Sequence, residues 1–260
     1  MWPKIRFTIP RKSNSRVKVP EARFPPIDPG CESAETIAVI GDVHGMSRAF
    51  ETLIERLSRE APEAKLICVG DLIDRGEESA AVLRQAFDLR ENLLVLLGNH
   101  EEMLLNFLDN PVEQGPRWLR YGGLQCLASF SIGGLNDRSE PARFLQARDD
   151  LRAALGEDLE HWLRARPRQW QSGNVAVVHA GVDPWSPMSQ QSDRTLTWGH
   201  ADFGRRPRRD GIWVVHGHTI VDGPVYADGI ISVDTGAYAG GGLTAALISA
   251  GSVHFVTIPS

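Results

Sequence analysis

The amino-acid sequence predicts an α/β fold, and three observations carry that expectation. From Glu35 onward, an apolar run, a Gly-bounded polar turn and a helical-looking segment follow one another three times. The C-terminal part breaks instead into short β-like runs separated by turn residues. Each of the leading apolar runs ends in Asp, His or Asn, at the strand ends where open α/β sheets gather ligand-binding groups. With 260 residues, 42% hydrophobic and 23% charged, the chain is long enough for one domain with a sizeable core.

Residues 1 to about 33 interleave Lys4, Arg6, Arg11, Lys12, Arg16, Lys18 and Arg23 with Pro3, Pro10, Pro20, Pro25, Pro26 and Pro29. That composition lacks hydrophobic periodicity and reads as a basic, solvated leader. ETIAVIGDVHG then gives strand and loop, and MSRAFETLIERLSRE the helix. AKLICVGDLIDRG before EESAAVLRQAFDLR repeats the grammar, as does ENLLVLLGNHE before EMLLNFLDN. Three βα units in succession predict parallel strands joined by crossover helices. Residues 111–172 read as a mostly helical, charged insertion around the site, interrupted at Gly122-Gly123 and Gly133-Gly134. NVAVVHAGV, GIWVVHGHT, DGIISVDTG, LTAALIS and SVHFVTI suit a second sheet packed on the first. The expected organisation is a leader over 1–33 and a single domain over 34–260.

Net charge of −5 exerts no global pull on nucleic acid or anionic membrane, so neither is an expected partner. Cys31, Cys68 and Cys126 are odd in number and lack CxxC spacing, which argues against a disulfide framework and a thiolate zinc site. No run approaches the ~20 apolar residues of a membrane span, and the N-terminus has no signal-peptide core. A cytoplasmic location is the expectation.

The strand-end residues are Asp42 and His44, Asp71, Asn99 and His100, His179, and His218. All but His100 are read as oxygen or imidazole ligands suited to two divalent metals of the manganese, iron or zinc type. In Asp42-x-His44 the alternation of an extended segment puts both side chains on one side, and Asp71 could bridge to a second ion. Two metals about 3.5–4 Å apart activate a shared water and steady the charge that develops on a displaced phosphoryl group. Such chemistry needs no Ser or Cys nucleophile, and no GxSxG or Cys-His grouping is present.

Read in order, GDVHG (41–45), GDLIDRG (70–76), GNHE (98–101), HAG (179–181) and GHT (217–219) resemble the signature of the calcineurin-like metallophosphoesterases. WLRYGGLQCLASF, HWLRARPRQW and VDTGAYAGGGLTAAL are similar to bacterial serine/threonine protein phosphatases, including the lambda phage type. The resemblance implies two mixed β-sheets packed as a sandwich flanked by helices (α-β-β-α), with a di-metal site, most naturally manganese, on loops at one edge. It implies that Asp42, His44 and Asp71 hold one metal, and that Asp71, Asn99, His179 and His218 hold the other. His100 would be the general acid, oriented by Asp74, while Arg75 would grip phosphate oxygens through its planar fork.

Symmetrical diadenosine tetraphosphate hydrolases resemble the sequence too. Asp74 in GDLIDRG, Glu101 in GNHE and Ile220 after GHT favour the phosphoprotein-phosphatase branch, with phosphoserine, phosphothreonine or phosphotyrosine in a protein or peptide as substrate. The alternative is hydrolysis of diadenosine tetraphosphate or another small nucleotide phosphoester. A silent scaffold is a third reading, opposed by the presence of every ligand, the acid pair and Arg75. One departure concerns TWGHADF, where relatives carry Trp-x-Arg and this chain has His200. His200, Arg205 or Arg206 would substitute, and weaker phosphate binding implies a high KM for small phosphoesters. Gly242, where relatives tend to be basic, reduces rim charge further. His216 reads as structural, His161 and His254 have no motif, residues 205–209 read as a solvated basic loop, and Trp118, Trp162 and Trp170 read as core.

Overall fold

The structure, a computed structural model, describes residues 30–259, so the leader reading lies outside the described residues over 1–29. In chain order the elements are β1 (Ile37–Ile40), α1 (Ser47–Glu60), β2 (Lys65–Cys68), α2 (Ser79–Asp88), β3 (Leu93–Val95) and α3 (Asn99–Asp109). Next come α4 (Pro111–Trp118), α5 (Leu124–Ser129), α6 (Pro141–Leu155) and α7 (Glu157–Arg164). The chain closes with β4 (Gln169–Ser172), β5 (Val175–Val178), α8 (Asp193–Trp198), β6 (Trp213–His216), β7 (Val225–Ala227), β8 (Ile230–Ser232), β9 (Leu243–Ser249) and β10 (Ser252–Ile258).

Two mixed five-stranded sheets result, ordered β10-β9-β1-β2-β3 and β4-β5-β6-β8-β7. β1, β2 and β3 run parallel, as do β5, β6 and β8, while β4, β7, β9 and β10 pair antiparallel at the flanks. Strand alternation sorts the core into layers. Ile37 and Val39 join Ile67, Val175, Val177, Val215 and Ile231 between the sheets. Ala38 and Ile40 face the other way, toward Phe50, Leu53, Leu83 and Leu104 of the helical layer. Ala176, Val178 and Val214 turn outward beneath Val182, Met188 and Leu196. Each fully buried side chain of this size contributes about 1.5–3 kcal/mol relative to exposure.

In the segment from α4 to α7, a kink over Leu119–Gly123 joins α4 to α5, with Gly122 leaving helical geometry at φ 110°. β4 then forms the edge of the second sheet beside β5, a strand that a purely helical reading of 111–172 does not contain. The arrangement brings the carboxyl ends of β1, β2, β3, β5 and β6 to one edge of the sandwich.

Candidate metal centre and its flanking dyad

Loops leaving β1, β2, β3, β5 and β6 place Asp42 and His44, Asp71, Asn99 and His100, His179, and His218 at that edge. Backbone bonds knit the loops together: Val43 and His44 N–H both donate to the Asp71 carbonyl (3.0 and 2.9 Å), and Gly217 N–H donates to that of His179 (2.8 Å). Of seven described non-glycine residues with positive φ, five belong here: His44, Asp71, Asp74, Arg75 and His218. Such backbone costs of the order of 1–3 kcal/mol per residue, so surrounding bonds must hold these loops in the shape that aims their side chains.

Glu101 supplies much of that hold. Its buried carboxylate accepts from Asp71 N–H and Leu72 N–H (2.8 Å each) and from Gly98 N–H (3.1 Å), capping α3 and fixing the β2 loop at once. Gly98 and Gly217 are required by close approach. A Cβ on Gly98 would collide with the Asp71 carboxylate, and one on Gly217 with that of Asp42.

The ligand atoms converge. Asp71 Oδ2 lies 3.4 Å from His179 Nε2 and 3.7 Å from His44 Nε2, and His44 Nε2 lies 3.9 Å from Asp42 Oδ2. Asn99 Oδ1 is 2.9 Å from His179 Nε2 and 2.8 Å from His218 Nδ1. Bonds of about 2.0–2.2 Å to a metal put neighbouring ligand atoms about 3–3.5 Å apart, and these spacings lie in or within about 0.4 Å of that range. Two groups of three, His44-Asp71-His100 and Asp71-His179-His218, meet the geometric requirement for an ion, and Asp71 is common to both.

Tautomers support the same fit. His44 Nδ1–H donates to the Ile73 carbonyl (2.7 Å) and His179 Nδ1–H to that of Val69 (3.1 Å), turning both Nε2 atoms inward. His44 Nε2 is buried with no hydrogen-bond partner. Around Asn99 Oδ1, His179 Nε2, His218 Nδ1 and the nearby Asp71 carboxylate form a donor set that suits a cation. Burial pushes His44 down to about 3 and His218 to about 4, so both stay neutral donors. Burial, then Asp234 and other neighbours, raise Asp42 well above the carboxylate range. His179 behaves oppositely: burial opposes its charge, yet Asp71 and Asp42 outweigh it and lift it to about 9. The cluster draws positive charge into its centre.

Beside the cluster, His100 Nδ1 bonds Asp74 Oδ2 at 2.7 Å, both residues fully buried, and His100 Nε2 has no hydrogen-bond partner. The same Asp74 oxygen accepts from Trp118 Nε1–H at 2.9 Å, and Asp74 N–H donates to Ser79 Oγ. Trp118 is core, as its sequence context suggests, yet its indole N–H is spent on the dyad. Burial would lower the His100 pKa, but the Asp71 and Asp74 carboxylates more than offset it and raise it. Arg75 follows on the same loop; its Nη1–H donates to Tyr238 Oη (3.0 Å), and Tyr238 stacks edge-on with His44 at 5.1 Å.

His200 is not drawn into this arrangement: its Nδ1 accepts from Asp202 N–H within its own loop. His216 is structural, with Nδ1–H donating to the Gly217 carbonyl and Nε2 accepting from Ser232 Oγ. Within the 205–209 cluster, Arg208 is buried and holds the Asp183 and Ser186 carbonyls as well as Asp210. Trp118 and Tyr238 were not singled out as site residues from sequence. Their signal lay in WLRYGG and VDTGAY, which mark the segments without showing what each ring touches.

A sequence model of the calcineurin-like phosphoesterases matches residues 35–222. The chain belongs to this family. Its members' divalent-metal chemistry accords with the ligand residues assembled here. Among similar curated proteins are those named symmetrical bis(5'-nucleosyl)-tetraphosphatase from Janthinobacterium sp. (strain Marseille), 33% identical over 153 residues, and from Legionella pneumophila, 32% over 156. The matches cover 58% and 59% of this chain but only 46% and 47% of those proteins, so the chain spans about half the length of the curated relatives it matches. A crystal structure provisionally assigned as a diadenosine tetraphosphatase superposes with a TM-score of 0.60 at 23% identity, covering 86% of this chain and 93% of that one. A cold-active protein-tyrosine phosphatase of a psychrophilic Shewanella gives 0.57 at 16% identity, covering 86% and 80%. At such identities the two structures establish the fold alone.

These curated relatives correct the branch reading. Asp74, Glu101 and Ile220 favoured the phosphoprotein phosphatases, and the structure gives a physical reason why they mislead. Glu101 is committed to backbone amides, and Asp74 to His100 and Trp118. Ile220 is 47% exposed beyond the cluster. Among the described residues no helix is long and apolar enough to cross a membrane, and the three cysteines are free and buried.

Proposed function

We propose that the chain hydrolyses dinucleoside polyphosphates, adding water across a P–O–P linkage of diadenosine tetraphosphate to give two nucleoside diphosphates. The observation that carries this reading is the likeness to proteins named as symmetrical bis(5'-nucleosyl)-tetraphosphatases. Asp42, His44 and Asp71 would hold one divalent ion, and Asp71, Asn99, His179 and His218 the other. When bound, the two ions would lower the pKa of a water and offset charge on the phosphoryl oxygens. Arg75 binds a further phosphoryl oxygen through its guanidinium. His100, protonated and held by Asp74, presents Nε2–H toward the leaving oxygen.

The dyad also supports a second reading, hydrolysis of phosphomonoesters. A serine or threonine alkoxide leaves poorly and needs a proton, whereas a nucleoside diphosphate leaves readily without one. A buried acid pair at 2.7 Å therefore has more to do in the second reaction than in the first. Product analysis on metal-stripped, manganese-reconstituted protein decides between them. Nucleoside diphosphate from diadenosine tetraphosphate, faster than orthophosphate from a phosphoserine/phosphothreonine peptide, is the expected result. The reverse preference would replace the first reading by the second.

A further inference from the structure

Beside Arg75, an open pocket of about 470 Å³ is lined by Leu119, Arg120, Tyr121, Gly122, Leu124, Gln125 and Tyr238. Its size falls in the range of small-molecule sites. We propose that this pocket is the nucleoside subsite, with a base lying against Tyr121 and its phosphates running past Arg75 toward the metal ligands. The proposal rests on the nucleotide-hydrolase reading and supplies the recognition element that reading lacks.

Four features of the pocket fit such a ligand. Tyr121 and Leu124 are 47% and 42% exposed, among the few large apolar side chains the described surface leaves open. Guanidinium groups lie against nearby rings: Arg117 is 6.0 Å from the Tyr121 ring and 4.9 Å from that of Trp198, and Arg75 is 4.9 Å from the Tyr238 ring. Among the described residues Arg120 pairs with Asp137, across 3.8 Å between exposed groups. Interleaved aromatic and guanidinium groups are what a base with a charged phosphate tail requires. The pocket is also continuous with the chemistry, because Tyr238 touches Arg75 on one side and the His44 imidazole on the other.

The backbone builds the pocket deliberately. The kinked turn over Leu119–Gly123 departs from helical geometry at Gly122, and the Gly122 carbonyl accepts from Arg75 N–H at 3.4 Å. A Cβ at Gly122 would come within 2.6 Å of the Arg75 nitrogen, so only glycine lets the turn lie against the phosphate-binding loop. The turn thus sets Arg120 and Tyr121 beside Arg75.

The test compares ADP with orthophosphate on manganese-reconstituted protein, by calorimetry, for wild type, Tyr121→Ala and Tyr121→Phe. Tyr121 is half exposed, so neither substitution threatens folding. The ratio of ADP affinity to phosphate affinity should fall about tenfold in Tyr121→Ala, within the range for loss of one base–aromatic stack, and hold in Tyr121→Phe. An unchanged ratio in Tyr121→Ala, or no preference for ADP over phosphate in wild type, overturns the subsite. Turnover of diadenosine tetraphosphate separates the two claims. Wild type that binds ADP through Tyr121 but leaves the tetraphosphate intact keeps the subsite and removes the proposed reaction; turnover unaffected by Tyr121→Ala does the opposite.

Discussion

Trp118→Phe should uncouple the acid pair while leaving the metal ligands in place. The indole donates to Asp74 Oδ2 at 2.9 Å, the atom that His100 Nδ1 also bonds at 2.7 Å. With that donor gone, Oδ2 keeps His100 but loses the indole N–H that fixes its direction, so the carboxylate can rotate and carry the imidazole off line. A hydrogen bond to a charged group contributes about 1.5–3 kcal/mol, which at 1.36 kcal/mol per decade corresponds to a loss of about 10- to 100-fold in turnover. Phenylalanine keeps an aromatic ring against Phe107, now 4.8 Å from Trp118, but the lost volume also lowers stability by roughly 1–2 kcal/mol. Leaving-group dependence separates positioning from simple destabilisation. If Trp118 acts through His100, the variant should lose more activity on phenyl phosphate than on p-nitrophenyl phosphate, since the poorer leaving group depends more on the proton. An equal loss on both substrates, or none, would refute the positioning role.

Glu101→Gln places an amide donor against backbone N–H groups at Asp71, Leu72 and Gly98. Leaving one or more of them unpaired should lower Tm by about 5–10 °C, and an unchanged melting curve would contradict the anchoring role. His218→Ala should reduce bound metal, whereas His216→Leu should retain it and lose only stability, because both ring nitrogens of His216 are already engaged; metal analysis of the purified variants checks this. Glu160 offers a pH test away from the site. Burial would raise its pKa, but Arg164 and Arg152 hold it below the usual 4.5. Its contribution is therefore complete above that value and fades as pH falls through the lower folded-state pKa. Glu160→Gln should cost under about 1 kcal/mol at neutral pH in denaturant melts, with the difference from wild type vanishing in acid.

The layered fold was legible because strand alternation and helix periodicity are local properties. Ile37 and Val39 against Ala38 and Ile40 already divide two core faces. The cluster was legible for a related reason: parallel strands put successive loops on one edge, so Asp42, Asp71, Asn99, His179 and His218 meet without any need to know their spacing in advance. Long-range contacts of residues without a motif were not legible. Trp118 Nε1 reaches Asp74 across 44 positions and Arg75 Nη1 reaches Tyr238 across 163, and neither pairing leaves a periodic trace. Branch assignment leaned on Asp74 and Glu101, whose side chains the structure commits to His100, Trp118 and backbone amides. His200, expected with Arg205 or Arg206 to stand in for a phosphate-binding arginine, has its Nδ1 hydrogen-bonded within its own turn.

Metal stoichiometry of Asp71→Asn tests the two-ion centre most directly, because Asp71 alone belongs to both candidate groups. Asparagine tolerates the positive φ of 52° at this position, so the loop should survive while the shared negative charge is lost. Wild type reconstituted with manganese should hold two ions per chain, and the variant should bind both weakly at the same free-metal concentration. One ion in wild type, or a variant that keeps one ion at undiminished affinity, would contradict a centre bridged by Asp71.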